Sequence, residues 1–384
     1  MKDEKKAPKL RFKGFTDDWE QCKLGDVTSS YSGGTPTAGT SNYYGGAIPF
    51  IRSGEISKDS TELTITEEGL NNSAAKLVKR GDILYALYGA TSGEVSISRL
   101  DGAINQAILA IKPCIGYDSY LLMSLLKNEK KKIRKKFLQG GQGNLSARIV
   151  KNIKLDIPSI NEQTKIGCLL LQLDRTITLH EEKKHQLERL KSALLQKMFA
   201  DKSGYPPVRF EGFSNEWGHC KLRDVADITT GSRNHQDSVT DGKYPFFVRS
   251  DKVERLNEYD FDTKAILVPG DGRIGEIFHY YNGKFALHQR VYKVDNFNGI
   301  NELFLLGLFK YSFKEHALRL NAQGTVPSLR LPMFTNWSIS VPMITEQERI
   351  GVFFQKLERT ISLYDHKLEL LKKVKRSMLQ AMFI

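Results

Sequence analysis

The chain predicts an α/β protein of two bodies related by pseudo-twofold symmetry and separated by a long antiparallel two-helix coiled coil. Three observations carry this reading. A long helical pattern occurs twice, at residues 158–199 and 342–383, offset by 184 positions and identical at 18 of 42 of them, which chance matching does not produce. A front segment, Arg11-Phe12-Lys13-Gly14-Phe15 with Trp19, Cys22-Lys23-Leu24 and Asp26-Val27, recurs over residues 209–225 at an offset of 198. Between these repeats the two halves hardly match, and the second is fourteen residues shorter. Two variable bodies, at about 28–156 and 226–340, therefore sit in two constant frames.

Taken in order, residues 1–156 form the first domain. Its short apolar runs at 47–51, 82–88, 94–97 and 103–111 alternate with Gly-rich turns and read as strands, and 117–138 reads as a helix. Residues 157–200 form the first spacer helix. Asn161, just after an extended X-Pro segment, is a good N-cap. Ile166, Leu170, Leu173 and Ile177 then step by four and three, as a coiled-coil seam does. The seam next falls on His180 and Lys184 before apolar residues resume at Leu187, Leu190, Leu194 and Met198. Two readings of this polar middle stand: it sets register or partner at some cost in stability, or it is a loose, solvated stretch.

Ser203-Gly204-Tyr205-Pro206-Pro207 breaks the helix and leads into the second domain, residues 201–340. Strand-like runs there lie at 244–248, 265–268, 275–281 and 285–294, with a helical pattern over 301–320. The second spacer helix, 341–384, opens with Thr345 and Glu348 as a capping box. Its seam runs through Ile350, Phe354, Leu357, Ile361, Tyr364, Leu368 and Leu371. At about 1.5 Å per residue each helix is roughly 60 Å long. The first helix runs into the second front segment, whereas the front segment matching the second helix is the one at the N-terminus. Equivalent halves would therefore bring the two chain ends close together.

Composition narrows the function. The chain has 57 Lys plus Arg against 44 Asp plus Glu, a formal charge of +13 and a pI near 9.3, which favours a polyanionic partner. There is no run of 18 apolar residues and no apolar stretch at the N-terminus, so the expectation is a cytoplasmic protein without membrane contact. Cys22, Cys114, Cys168 and Cys220 are too scattered for a zinc site or a disulfide framework, and the repeat equivalents Cys22 and Cys220 read as half-buried structural thiols.

Enzyme motifs are missing. The chain has no G-x-x-x-x-G-K-[ST] loop, no G-x-S-x-G elbow and no Asn/Asp-Pro-Pro-aromatic signature. Asp271 and Glu276 are not followed by the lysine a metal-dependent nuclease would place two residues on. No catalytic, cofactor-binding or metal-binding residue is expected.

The variable bodies do carry loops suited to nucleic acid. In the first, Gly33, Gly34, Thr35 and Pro36 join small residues, which let backbone amides approach phosphates, to Tyr43, Tyr44, Arg52, Ser53, Tyr88, Asn105, Gln106, Gln142 and Asn144. The second echoes them with Arg233, Asn234, Arg249, Arg273, His288, Gln289, Arg290, Gln323 and Thr325. Seven of the ten residues at 127–136 are Lys or Arg, in a helical stretch that is either a solvated face or a contact with a phosphate backbone.

With its doubled Arg-Phe-x-Gly-Phe...Trp segments, its Gly33-Gly34-Thr35-Pro36...Tyr44-Gly45-Gly46...Ile48-Pro49-Phe50 stretch and its two Pro-x-x-x-Glu-Gln-x-x-Ile-Gly helices ending in Leu-Gln-x-Met-Phe, the chain resembles the specificity subunit of a Type I restriction-modification enzyme almost end to end. The resemblance implies a subunit with no catalytic centre, whose two target-recognition domains each read one half of a split double-stranded DNA site. It implies that the conserved helices form an antiparallel coiled coil that fixes the unread gap. Two modification (methyltransferase) subunits, which carry S-adenosylmethionine, would dock on those helices, and restriction subunits would join through them. The second body departs from the pattern, with Gly231-Ser232-Arg233-Asn234 in place of Gly-Gly-Thr-Pro.

Overall fold

The computed structural model describes residues 7–137, 144–201, 203–321 and 327–383. Packing divides the chain into two units, Met1–Leu179 with Leu368–Ile384, and His180–Lys367. Among the described residues no helix is long and apolar enough to cross a membrane.

In the first unit, four strands run antiparallel in the order Thr28–Ser32, Ile108–Pro113, Ile83–Ala86, Val95–Ile97. A second sheet has the order Thr64–Ile65, Tyr44–Ile51, Gly102–Ile104, Lys76–Val78, and its Tyr44–Ile51 and Gly102–Ile104 strands are parallel. Strand Ile83–Ala86 is apolar throughout because both of its faces are covered, as the two-residue period of a strand requires. Ile83 and Tyr85 pack with Leu121, Leu122, Leu125 and Leu126 of helix Ser119–Phe137, while Leu84 and Ala86 pack with Ile51, Ile56 and Val78.

The second unit repeats this order as one six-stranded sheet: Asp227–Thr230, Val291–Asp295, Phe261–Pro269, His279–Leu287, Tyr244–Phe247, Val253–Leu256. The difference has a local cause. Residues 98–101 break the first unit's chain into the two strands Val95–Ile97 and Gly102–Ile104, whereas the matching residues 281–284 continue one strand. Ile266 and Val268 face the main core and Ala265 and Leu267 the other side, so the sheet alternates as its counterpart does.

Strand and helix boundaries depart from the expected ones. The run 103–111 is two strands separated by Asn105-Gln106-Ala107, and 285–294 likewise divides around His288-Gln289-Arg290. Residues 279–281 of the first run and 285–287 of the next belong to a single strand, His279–Leu287, and 275–278 lie outside it. The 301–320 helix is three pieces, Glu302–Leu308, a π-helical turn Phe309–Phe313, and Lys314–Leu320. The long helices begin one residue before the expected caps, at Ile160–Lys197 and Ile344–Met382, so Asn161 and Thr345 lie inside the first turn. The carbonyls of Ser159 and Met343 accept from the N–H groups of Gln163 and Gln347 instead.

The frame is built from the repeated signatures. In the first unit, Glu20–Lys23 pairs antiparallel with Lys154–Ile157, Trp19 is buried, and the Leu10 N–H donates to the Ala381 carbonyl at 2.9 Å. The second unit has Gly218–Lys221 on Ser338–Val341, a buried Trp217, and the Val208 N–H on the Lys197 carbonyl at 2.8 Å. Cys22 and Cys220 are half-buried at equivalent places in these strand pairs, and burial raises both thiol pKa values. Each signature arginine forks onto the glutamate of Glu-Gln at the helix start. Arg11 meets Glu162 at 2.9 and 2.7 Å, and Arg209 meets Glu346 at 2.7 and 2.8 Å, with both carboxylates fully buried. The Ile-Gly of each helix is a close approach, since a Cβ on Gly167 would stand 2.2 Å from the Asp118 carboxylate and one on Gly351 would stand 2.7 Å from Leu303.

Within each unit the long helices run antiparallel. In the first, Ile166, Leu170, Ile177 and Leu368 are buried, Leu173 and Leu371 half-buried, Met382 and Phe383 pack on Ile166 and Leu170, and Lys375 pairs with Asp174. In the second, Ile350, Phe354 and Leu357 are buried and Ile361, Leu187 and Leu194 half-buried, with Met198 and Phe199 in the core. Lys191 reaches Glu358 at 2.7 Å, and this pair is the repeat equivalent of Lys375 with Asp174.

Leu190 is 47% exposed, contrary to expectation. The seam steps from Leu187 to Lys191 and Leu194, which leaves Leu190 one position off it. The polar middle has defined partners, for the His180 ring lies 5.5 Å from that of Tyr364 and the Lys184 ammonium lies 2.6 Å from Asp365. A loose, unpartnered seam is therefore not what these residues form.

Candidate nucleic-acid interface

In each unit the turns that follow the central strands gather at one end. In the first, the Leu87 N–H donates to the Ala107 carbonyl, the Leu145 N–H to the Leu87 carbonyl, and the Thr35 hydroxyl to Gln106 Oε1 at 2.6 Å. Asn144 Oδ1 accepts weakly from the Gly89 N–H at 3.4 Å. Parallel pairing of Ile51 with Ile104 sets Arg52 and Ser53 beside the Asn105 turn. Tyr88, Gln106, Thr35 and Asn144 are the exposed members of this set.

The second unit uses the same two backbone connections, the Gly270 N–H donating to the Arg290 carbonyl and the Leu329 N–H to the Gly270 carbonyl, and adds the Gln289 N–H on the Arg233 carbonyl. Gln289 Nε2 donates to Asn234 Oδ1 at 2.7 Å, as Thr35 and Gln106 join the equivalent turns. Arg249, Arg273, Gln289 and Arg290 are exposed there. Similar strand pairings thus carry different side chains to the same end of each body.

Other expected contact residues turn out to shape the loops. A Cβ on Gly33 would stand 1.8 Å from the Ile104 carbonyl oxygen, and one on Gly34 2.5 Å from Ala74, so these glycines admit neighbouring chain rather than a phosphate. Gly231 repeats the first of them, 2.0 Å from the Leu287 oxygen. Gly34 and Pro36 are buried, and the Pro36 carbonyl accepts from the Tyr44 hydroxyl, which places Tyr44 in a small core with Phe50 and Ile65. Tyr43 is half-buried beside Gly69. His288 is only 4% exposed, and its Nδ1 accepts the Arg290 N–H at 3.0 Å, closing the turn that Asn105 Oδ1 closes through the Ala107 N–H at 3.1 Å. Burial, reinforced by the charge of Arg249, lowers the His288 pKa. Gln142, Gln323 and Thr325 lie outside the described residues.

Charge separates the arginines. Arg52 is gripped by Glu55 and Glu62, which raise its pKa through hydrogen bonds. Arg233 is held likewise by Asp260 at 2.8 Å and Glu258 at 2.9 Å. Arg273 lies near Asp251 and Glu276. Arg249 and Arg290 share a single carboxylate, Asp271, at 3.1 and 3.7 Å. The sequence offered no sign of this role for Asp271, because it and its two partners stand on three separate turns. Neither Asp271 nor Glu276, which takes Lys314 at 2.5 Å, belongs to a metal-ligating group, and none occurs among the described residues. On helix Ser119–Phe137, Lys130 pairs with Glu94, while Lys127, Lys131, Lys132, Arg134, Lys135 and Lys136 are exposed.

The two units thus share a repeated frame that carries two unlike sets of polar turns, and comparison with known proteins identifies the family of such a duplicated chain. The Type I restriction modification DNA specificity domain matches residues 16–189 and 214–373. The chain belongs to this family. It is 24% identical over 416 residues to the Type I restriction enzyme MjaIX specificity subunit of Methanocaldococcus jannaschii, covering 94% of this chain and 92% of that protein. It is 28% identical over 169 residues to the Type I restriction enzyme EcoDI specificity subunit of Escherichia coli, an alignment that covers 43% of this chain and 37% of that protein. Its fold matches the crystal structure of a Type-I restriction-modification system S subunit from M. genitalium with a TM-score of 0.75 at 16% identity, covering 98% of this chain and 99% of that one.

Proposed function

We propose that this chain is the DNA-reading subunit of a Type I restriction-modification complex, in which each body reads one half of a bipartite site. The observation that carries the proposal is the pair of turn clusters, alike in backbone connection and unlike in side chains. Duplicated readers of a single sequence would not need to differ. The exposed amide and guanidinium groups are those that pair with base edges, while the basic face of Ser119–Phe137 suits phosphates.

The long helices act in this proposal as an antiparallel coiled coil that sets the unread gap. The matched ion pairs of Asp174 with Lys375 and of Glu358 with Lys191 support it. The chain itself performs no chemistry. Two modification subunits bearing S-adenosylmethionine dock on the conserved helices, and restriction subunits join through them. The complex works on DNA in the cytoplasm.

Replacing residues 28–156 with those of a relative, then mapping methylated sites in cells that also make the modification subunit, tests the reading. One half-site should change while the other and the gap stay as they were. Simultaneous change of both halves would overturn the two-reader scheme. Insertion of four residues near His180 should alter the gap, or abolish activity, with both half-sites intact in any active complex.

A further inference from the structure

We infer that Asp271 holds Arg249 and Arg290 as a guanine-reading fork, so that the half-site read by the second body contains guanine at the positions those arginines face. This rests on the DNA-reading role proposed above and adds the chemistry of one half-site to it. The three side chains stand on turns that immediately follow core strands Phe261–Pro269, Tyr244–Phe247 and His279–Leu287. Backbone bonds lock those turns together, with the Gly270 N–H on the Arg290 carbonyl and the His288 N–H on the Phe247 carbonyl. Asp271 Oδ2 lies 3.1 Å from Arg249 Nη1 and 3.7 Å from Arg290 Nη1. The carboxylate is 18% exposed, whereas the arginine side chains are 48% and 64% exposed.

One carboxylate between two guanidinium groups leaves a net positive charge. It hydrogen-bonds one nitrogen of Arg249 and only approaches one of Arg290 at 3.7 Å, and a guanidinium has five N–H donors. The remaining donors form the planar pair that matches O6 and N7 of guanine in the major groove. A carboxylate that fixes the far edge of an arginine cuts the rotamer entropy lost on contact and sharpens its direction.

The first body supplies the contrast. Tyr88 and Ala107 stand where Asp271 and Arg290 stand, as the equivalent backbone bonds of Leu87 and Gly270 show. Arg52, on the turn after Tyr44–Ile51, is already held by two carboxylates. Gln106 and Asn144 remain exposed there, and amides suit adenine.

The test uses the full chain assembled with its modification subunit, carrying Arg249→Lys, Arg290→Lys, Asp271→Asn or Arg273→Lys. Site maps are combined with competition binding to duplexes substituted one base at a time. Lysine keeps the charge but loses the planar pair, so each of the first two variants should lose discrimination for guanine by about 5- to 150-fold at one position of one half-site. Asp271→Asn should relax the same positions together, Arg273→Lys should leave them alone, and the other half-site should not change. Unaltered base preference in Arg249→Lys and Arg290→Lys would mean phosphate contacts and overturn the inference, as would relaxation at adenine or thymine. If the unmodified complex shows no sequence preference at all, the DNA-reading proposal itself fails. Unfolding midpoints equal to that of the parent chain confirm that the variants fold, and Asp271→Glu serves in place of Asp271→Asn if that one does not.

Discussion

Removing Arg209 should be among the most damaging single changes in the second unit. Its guanidinium meets Glu346 through two bonds of 2.7 and 2.8 Å, and the glutamate side chain has no solvent exposure. Arg209→Met leaves that carboxylate buried without its partner, which costs about 3–5 kcal/mol for a broken buried pair. Glu346→Gln strands the arginine less severely, because the arginine is 14% exposed. The double change Arg209→Met with Glu346→Gln should recover most of the loss, since the buried charge is then gone. Urea unfolding followed by tryptophan fluorescence reads this well, as Trp217 and Trp337 are both buried in the same core. Arg11→Met should reproduce the effect in the first unit, where Trp19 reports. A loss below about 1 kcal/mol for Arg209→Met would place the pair with ordinary surface ion pairs, and the account of the frame would be wrong.

Three further outcomes are expected. Gly231→Ala would push a Cβ to 2.0 Å from the Leu287 oxygen and should destabilise the second unit by about 1–3 kcal/mol or more, while Ser232→Ala, on an exposed neighbour, should be neutral by the same unfolding assay. Burial and the Arg249 charge, opposed by Asp271, hold His288 below its usual 6.5, so the unfolded chain binds the extra proton first. Stability is then full above that value and falls as the pH drops below it. His288→Asn keeps the turn acceptor found at Asn105 and should flatten the pH slope, and an unchanged slope would refute the assignment. In the seam, Leu190→Gln should stay within about 0.5 kcal/mol of the parent, whereas Phe354→Ala should cost about 3–5 kcal/mol. The reverse order would restore Leu190 to the helix interface.

Much of the frame is legible in the chain because it is repeated. Arg-Phe-x-Gly-Phe, the strand-forming Trp19 and Trp217 segments and the Glu-Gln-x-x-Ile-Gly helix starts recur where packing tolerates no change: a buried ion pair, a buried indole, a glycine with no room for a Cβ. Helix period alone located the seam through Ile177 and from Ile350 to Leu371. It slipped by one position at Leu190 because an apolar residue beside the seam was more conspicuous than Lys191 on it, whose charge is satisfied across the helix pair by Glu358.

The candidate interface is a different matter. Gly33, Pro36, Tyr44 and His288 resemble surface residues in sequence and serve the interior, because what buries them is chain brought in by strand pairing from tens of residues away. Likewise Arg52, Arg233, Arg249 and Arg290 are the same residue type in similar loops, and sequence alone treats them as equals. Tertiary structure sorts them, giving Arg52 and Arg233 two carboxylates each and making Arg249 and Arg290 share one. By itself the sequence determined the duplication, the frame and the family. Which charged side chains remain available to a ligand was decided only on folding, since charge neutralisation depends on distances of a few ångströms that are set by long-range strand register.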